Sequence, residues 1–225
     1  MMNSFVLKLL AIIFMVFDHV YTYIPNYPIW FGYVGKLAAP IFFFMIVEGF
    51  IYTRNRKKYI IRLFGFAIIM VALDYILKIP NNIFLSLGCG IVLLTVLDYG
   101  KRTKKYALST IAAIVIGILM LFTEASLYGL GMVLIFYFLR EKKGLKIITY
   151  ILFSLFFLLT NLGALDLFNQ LFLYDYQWMM VFAFPFFLLY NGKKGYSSTF
   201  MKWAFYVFYP LHLTVIILIK ELFIV

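Results

Sequence analysis

His19 and His212 are the two histidines of this chain, and both fall in apolar stretches where a titratable side chain is expensive. Histidine exchanges protons near neutral pH, so a buried histidine is a candidate general base. His19 sits beside Asp18 in "MVFDHVYTYIP". Neighbours on a helix diverge by about 100°, so Asp18 does not orient the His19 ring as a side-chain pair and is expected to face Lys36 or another helix. For Asp18 and Lys36, a buried ion pair that fixes helix register stands beside a catalytic role. For His19 a hydrogen bond across helices is the bland alternative, and proton transfer is the favoured one. Lys8 and His19 are eleven residues apart, about 20° from whole turns, and share one face. Glu48 and Asp74 complete the charged groups within apolar runs.

The elements that must position these groups follow from composition. The chain has 225 residues, 65% of them hydrophobic and 13% charged, where soluble domains carry about 25% charged. Runs of about 20 apolar residues recur from end to end, the length that crosses about 30 Å of hydrocarbon. A chain this short has no soluble core large enough to hide them all. The runs do not alternate apolar and polar, which argues against a membrane barrel. The expectation is therefore an all-α, polytopic transmembrane bundle forming a single integral-membrane domain over 1–225. About nine spans read as 4–24, 31–53, 59–79, 82–98, 106–123, 127–139, 145–163, 176–190 and 200–222. Residues 127–139 are short for a full crossing. The first run is read as an uncleaved helix, being too long for a signal-peptide core and lacking a small-residue cleavage site.

The net charge of +11 is concentrated in "TRNRKKYIIR", "GKRTKKY", "REKKGLK" and "NGKKGYSSTFMK". Short loops rich in Lys and Arg stay in the cytoplasm, so the N-terminus is expected inside and the C-terminus outside. Topology and contacts with membrane lipids account for most of these clusters. On that topology Asp18, His19, Lys36, Asp74 and His212 share the outer half to middle of the membrane, and Glu48 lies lower. Asp18 and His19 fall about 9 Å below the outer end of their helix. A polar cavity or channel is the expectation. The segment "LGALDLFNQLFLYDYQ" is expected to lie in the interface or form a lid. Pro40, Pro185 and Pro210 interrupt spans and free the carbonyls of Lys36, Val181 and Tyr206. Cys89 is the one cysteine, so no internal disulfide forms, and no metal-ligand spacing is present. No nucleotide-binding motif or internal repeat is visible, and nucleic acid is not an expected partner.

"LKLLAIIFMVFDHV", "GKLAAPIFFFMIVEGFIYTRNRKKYIIRL", "NNIFLSLGCG", "LYNGKKG" and "KWAFYVFYPLHL" together resemble the TraX family. That family is named for the conjugation protein that acetylates the N-terminus of F-type pilin, and it looks like a branch of the transmembrane acyltransferases. The similarity covers nearly the whole chain, although roughly 100–175 matches mainly as hydrophobic helices. The combination of "DH" with "FYPLHL" is the most diagnostic.

The resemblance implies a bacterial cell-membrane O- or N-acyltransferase that uses acetyl-CoA from the cytoplasmic side and no metal. It implies a peptide or cell-envelope glycan as acceptor. His19 and Asp18 match the family's "DH", Glu48, Arg54 and Arg62 its "EG…TRN…RL" segment, and His212 its "YPLH". In that reading His19 is the general base, Asp18 tunes the site electrostatically and His212 is a second catalytic or positioning group. Arg54, Arg56, Arg62 and Lys194 hold the CoA phosphates. Lys36, Glu48, Asp74 and Tyr209 line the site, and a lysine or amide donor stabilises the oxyanion. The absence of G-x-S-x-G leaves a serine nucleophile unsupported. The competing readings are a proton-coupled transporter or flippase, and a noncatalytic assembly or immunity protein.

Overall fold

The computed structural model describes residues 1–156, 158–161, 163 and 165–223. Parts of the expected span 145–163 and of the expected outer segment, at 157, 162 and 164, lie outside the described residues. The named elements among the described residues are all helical. They are α1 (Ser4–Tyr23), α2 (Trp30–Gly35), α3 (Ala38–Tyr52), α4 (Arg56–Leu77), α5 (Ile83–Thr103), α6 (Tyr106–Leu121), α7 (Ser126–Phe138), α8 (Lys143–Phe156), α9 (Leu167–Asn169), α10 (Phe184–Leu189) and α11 (Thr199–Phe223). A single π-turn, Gln170–Tyr174, follows α9, and a 3-10 stretch, Gln177–Ala183, leads into α10.

Five helical stretches are long and apolar enough to cross a membrane: Ser4–Tyr23, Trp30–Tyr52, Arg56–Leu77, Ile83–Thr103 and Thr199–Leu222. A sixth passes only if Leu167–Tyr174 and Gln177–Leu189, bent by 64°, count as one span. The remaining expected runs also hold helices, but short ones. With 16 residues in α6, 13 in α7 and 14 in α8, they rise about 24, 20 and 21 Å. The second expected span is present as Trp30–Tyr52, with a local interruption at residues 36–37. Pro40 carries no amide hydrogen for the carbonyl four residues back, so α2 stops at Gly35 and α3 starts at Ala38. Pro185 sits harmlessly in the first turn of α10, while Pro210 lies inside α11, which continues past it.

The described residues form two compact units, 1–42 with 139–225 and 43–138. In the first, α1 and α2 make an antiparallel hairpin. A Cβ added at Gly35 would fall 2.5 Å from the Asp18 Cβ and 2.7 Å from its Cα, so only glycine admits this approach. α11 runs parallel to α1, with Phe5 against Phe205 and His19 against His212. α8 packs on the 177–183 stretch and α10, where the buried Tyr150 hydroxyl donates to the Met180 carbonyl and its ring meets Phe187 edge-on at 5.0 Å.

The second unit is a run of antiparallel neighbours, α4 on α5, α5 on α6 and α6 on α7. Asn82 caps α5 through its Oδ1, accepting from the Leu85 amide at 3.2 Å, and its Nδ2 donates to the Ala67 carbonyl at 3.0 Å. Gly88 against Phe64, Gly100 against Ser109 and Gly117 against Leu130 mark the close approaches. The outward faces are apolar: Ile61, Ile68, Val71 and Ile76 of α4 and Leu108, Ile111, Ile114 and Leu119 of α6 are all exposed. Continuous exposed apolar faces of this extent suit lipid rather than water.

Candidate active site

α1 carries two polar contacts on two different faces. On the α11 side, His19 Nδ1 lies 2.6 Å from His212 Nε2, with ring centroids 4.9 Å apart and planes within 18°. Both residues are buried, at 4% and 7% exposure. The second ring nitrogen of His212, Nδ1, lies 2.9 Å from the Phe208 carbonyl one turn back in α11. A carbonyl only accepts, so His212 Nδ1 carries a hydrogen. In neutral His212 the Nε2 atom is then the acceptor, and His19 Nδ1–H is the donor to it. Neutral His19 consequently carries its lone pair on Nε2. A backbone carbonyl thus sets the tautomer of both rings, the usual way a hydrogen bond at one nitrogen decides the state of the other. Aromatic rings enclose the pair. Phe208 stacks on His212 at 5.1 Å, Tyr209 meets His19 at 5.8 Å and His212 at 5.5 Å, and Tyr23 lies 6.2 Å from His19.

On the α2 side, Lys36 Nζ donates to Asp18 Oδ1 at 2.8 Å, with side chains 22% and 26% exposed. The ammonium also lies 5.4 Å from the Tyr176 ring centroid. Tyr176 meets Tyr33 at 5.4 Å and Tyr21 at 6.1 Å, and the Tyr33 hydroxyl donates to the Phe172 carbonyl at 2.5 Å. The tyrosine cluster therefore ties the bent 167–183 segment to the ion pair. Asp18 thus pairs with Lys36 on the α2 side of α1, while His19 meets His212 on the α11 side.

The structure places the other sequence-derived candidates as follows. His19, His212, Asp18, Lys36, Tyr209 and Lys194 belong to the first unit; Glu48, Arg54, Arg56, Arg62 and Asp74 belong to the second. Lys194 lies exposed on the turn before α11, and Arg54 is exposed between α3 and α4. Arg56 pairs with Asp98, which Arg102 also approaches at 2.8 Å, and its guanidinium lies 4.1 Å from the Phe50 ring centroid. Arg62 lies 5.7 Å from the Tyr59 ring centroid, with its Nε buried and lacking a hydrogen-bond partner among the described residues. Glu48 is buried in α3, and Asp74 sits near the end of α4 with Oδ1 buried and likewise lacking a partner among the described residues.

Reading the residues alone misses the Phe208 carbonyl, because a backbone acceptor leaves no mark in residue type. It also misses the tyrosine cluster of Tyr21, Tyr33 and Tyr176.

The family decides itself on extent. The TraX protein family matches residues 4–220. The chain belongs to the TraX family. The match includes both histidines and both members of the ion pair. A relative from Dichelobacter nodosus, named "Probable fimbrial assembly protein FimC, serogroup H1", is 26% identical over 231 residues. That alignment covers 95% of this chain and 94% of the relative. No solved structure matches.

Proposed function

We propose that this TraX-family chain is a membrane-embedded acyltransferase that moves acetyl from acetyl-CoA to an amine or hydroxyl of an acceptor. The name of the fimbrial-assembly relative favours a pilin-type peptide N-terminus over an envelope glycan as acceptor. The observation that carries the reading is the buried hydrogen bond between His19 and His212. In this reading His19 Nε2 takes the acceptor's proton as its nitrogen or oxygen bonds to the thioester carbonyl carbon. The C–S bond then breaks, and the leaving thiolate takes the proton held on His19 Nε2, so CoA leaves as the thiol and His19 returns to its neutral form. The proton gained by His19 is stabilised through Nδ1–H to His212 Nε2, and His212 is held for that task by the Phe208 carbonyl. The Asp18–Lys36 pair positions α2 and places a fixed dipole beside the histidine helix.

The proposed setting is the bacterial cytoplasmic membrane. The chain forms one domain of about nine spans, with its N-terminus and basic loops cytoplasmic and its C-terminus outside. Arg54, Arg56, Arg62 and Lys194 remain candidates for the CoA phosphates, with Arg56 already engaged by Asp98. The match to this family does not favour a proton-coupled transporter or flippase. The deciding experiment incubates the purified protein with labelled acetyl-CoA and pilin peptides. Transfer is expected with the wild type and lost in His19→Ala at an unchanged melting temperature. A wild-type protein that is folded yet binds no CoA defeats the proposal.

A further inference from the structure

His19 is only 4% exposed, yet the proposed reaction needs its Nε2 to meet an acceptor as large as a peptide. Some element beside α1 must move for that. α1 and α11 carry the two histidine rings themselves, and α8, α10 and the 177–183 stretch share a buried core of Tyr150, Met180 and Phe187. The segment 167–174 is built differently. Its α9 is three residues long and its π-turn five, the two pack chiefly on each other, and neither holds a buried residue. Leu167, Phe168, Leu173 and Tyr174 are exposed. At 175–176 the helix lapses, and the axis turns by 64° into Gln177–Leu189. A short arm is thus hinged on a buried anchor, and segments with so few buried contacts open at low free-energy cost.

Side chains hold the arm down. The Tyr33 hydroxyl of α2 donates to the Phe172 carbonyl in the arm. At the hinge, Tyr176 fills a notch over Gly32, where an added Cβ would fall 2.9 Å from the Tyr176 Oη and 2.9 Å from the Tyr21 Cδ1. The Lys36 ammonium, bound to Asp18, lies against the same Tyr176 ring. Asn161 Nδ2 donates to Asp175 Oδ2 at 2.7 Å, and Asn161 Oδ1 accepts from Gln170 Nε2 at 3.1 Å. Trp178 Nε1 donates to the Leu171 carbonyl at 3.0 Å, across the hinge. On α1 these contacts reach Asp18 and Tyr21, which flank His19 within about one helical turn.

We infer that residues 167–176 form a lid on the acceptor side of the histidine pair, latched shut on α2 through Tyr33 and Tyr176 and swinging about 175–176 to admit the acceptor. What enters rests on the proposed acetyl transfer; the movement rests on the hinge, the latch and the burial of His19. Closure shuts water out from around His19 during transfer, which protects the thioester from hydrolysis.

The test uses the full chain in nanodiscs, with Cys89→Ala as background and folding checked by thermal unfolding. Tyr33→Phe removes the latch hydroxyl and keeps the ring, and Gly32→Ala crowds Tyr176 while favouring the α2 helix. Each is expected to raise amide hydrogen exchange in 167–176 about two- to tenfold, the worth of one net hydrogen bond, with exchange in α1 and α11 unchanged. Each is also expected to speed modification of His19 by diethyl pyrocarbonate, read by peptide mass spectrometry. In Tyr33→Cys with Phe172→Cys, a bis-maleimide bridge clamps the arm, and the same protein capped by N-ethylmaleimide is the control. The clamp is expected to slow both His19 modification and acetyl transfer to a pilin peptide at least about tenfold, at an unchanged CoA affinity. Clamped protein that reacts as fast as the capped control overturns the inference, and so do folded latch variants whose 167–176 exchange matches the wild type. A wild type that transfers no acetyl defeats the acetyl-transfer reading instead, and exchange with His19 modification still decides the lid.

Discussion

His19 and His212 are not equivalent, although they share one hydrogen bond. The Phe208 carbonyl makes His212 the acceptor, so the base is expected at His19 Nε2 and the support at His212. On the proposed reaction, His19→Ala loses about 10³-fold or more in kcat, in the range of general-base contributions. His212→Ala loses less, about 10²-fold, and alters the pH profile of the remaining activity because the His19 proton is no longer stabilised. Steady-state transfer assays across pH check both, and equal losses with unchanged profiles would contradict the assigned order. The ion pair makes a separate prediction. Lys36→Met leaves Asp18 partly buried without its partner and is expected to destabilise by about 1–3 kcal/mol, reduced from the fully buried case by partial exposure. Lys36→Met with Asp18→Asn is expected to recover much of that loss in thermal unfolding. The divergence of Asp18 and His19 was legible from helix geometry, because 100° per residue leaves no freedom. The sequence names Lys36 as a partner for Asp18, with another helix as the alternative, and the structure pairs the two. The partner of His19 was not legible, since His212 meets α1 through tertiary packing.

At the scale of elements, Gly35 and Pro40 decide how α2 presents Lys36. Proline ends the regular hydrogen bonding, and glycine lets the short helix rest on the Asp18 backbone. The apolar run 31–53 reads as one span interrupted by its proline, and Trp30–Tyr52 is one apolar stretch with its helix interrupted at residues 36–37. Gly35→Ala places its Cβ 2.7 Å from the Asp18 Cα, a backbone atom with little room to give. The expected cost is about 1–3 kcal/mol, with lower transfer activity, because α1 must move away from α2. Differential scanning fluorimetry in detergent measures it, and an unchanged melting temperature would show that the contact is loose. By contrast, Gly65→Ala meets nothing within 4 Å and serves as a control expected to leave stability the same or slightly higher.

Over the whole molecule, composition and hydropathy made the all-helical, lipid-facing character plain, and the exposed apolar faces of α4 and α6 carry the same message in three dimensions. The number of crossings was less legible, because a hydropathy window reports where apolar residues cluster but not where a helix stops. α6 and α7 show the consequence. At about 24 and 20 Å they are shorter than the roughly 30 Å of hydrocarbon, yet they pack as an antiparallel pair with Gly117 against Leu130. On the proposed orientation the basic turn at Lys104 is cytoplasmic, so the turn bearing Glu124 points outward and ends at the outer headgroups only if the bilayer thins around it. With Cys89 replaced by Ala, a cysteine at Lys104 is expected to react with a membrane-impermeant maleimide only after permeabilisation. One at Glu124 is expected to react in intact cells, more slowly than an exposed loop. Labelling of both positions from the same side would make α6 and α7 a re-entrant hairpin, and the count of crossings would fall by two.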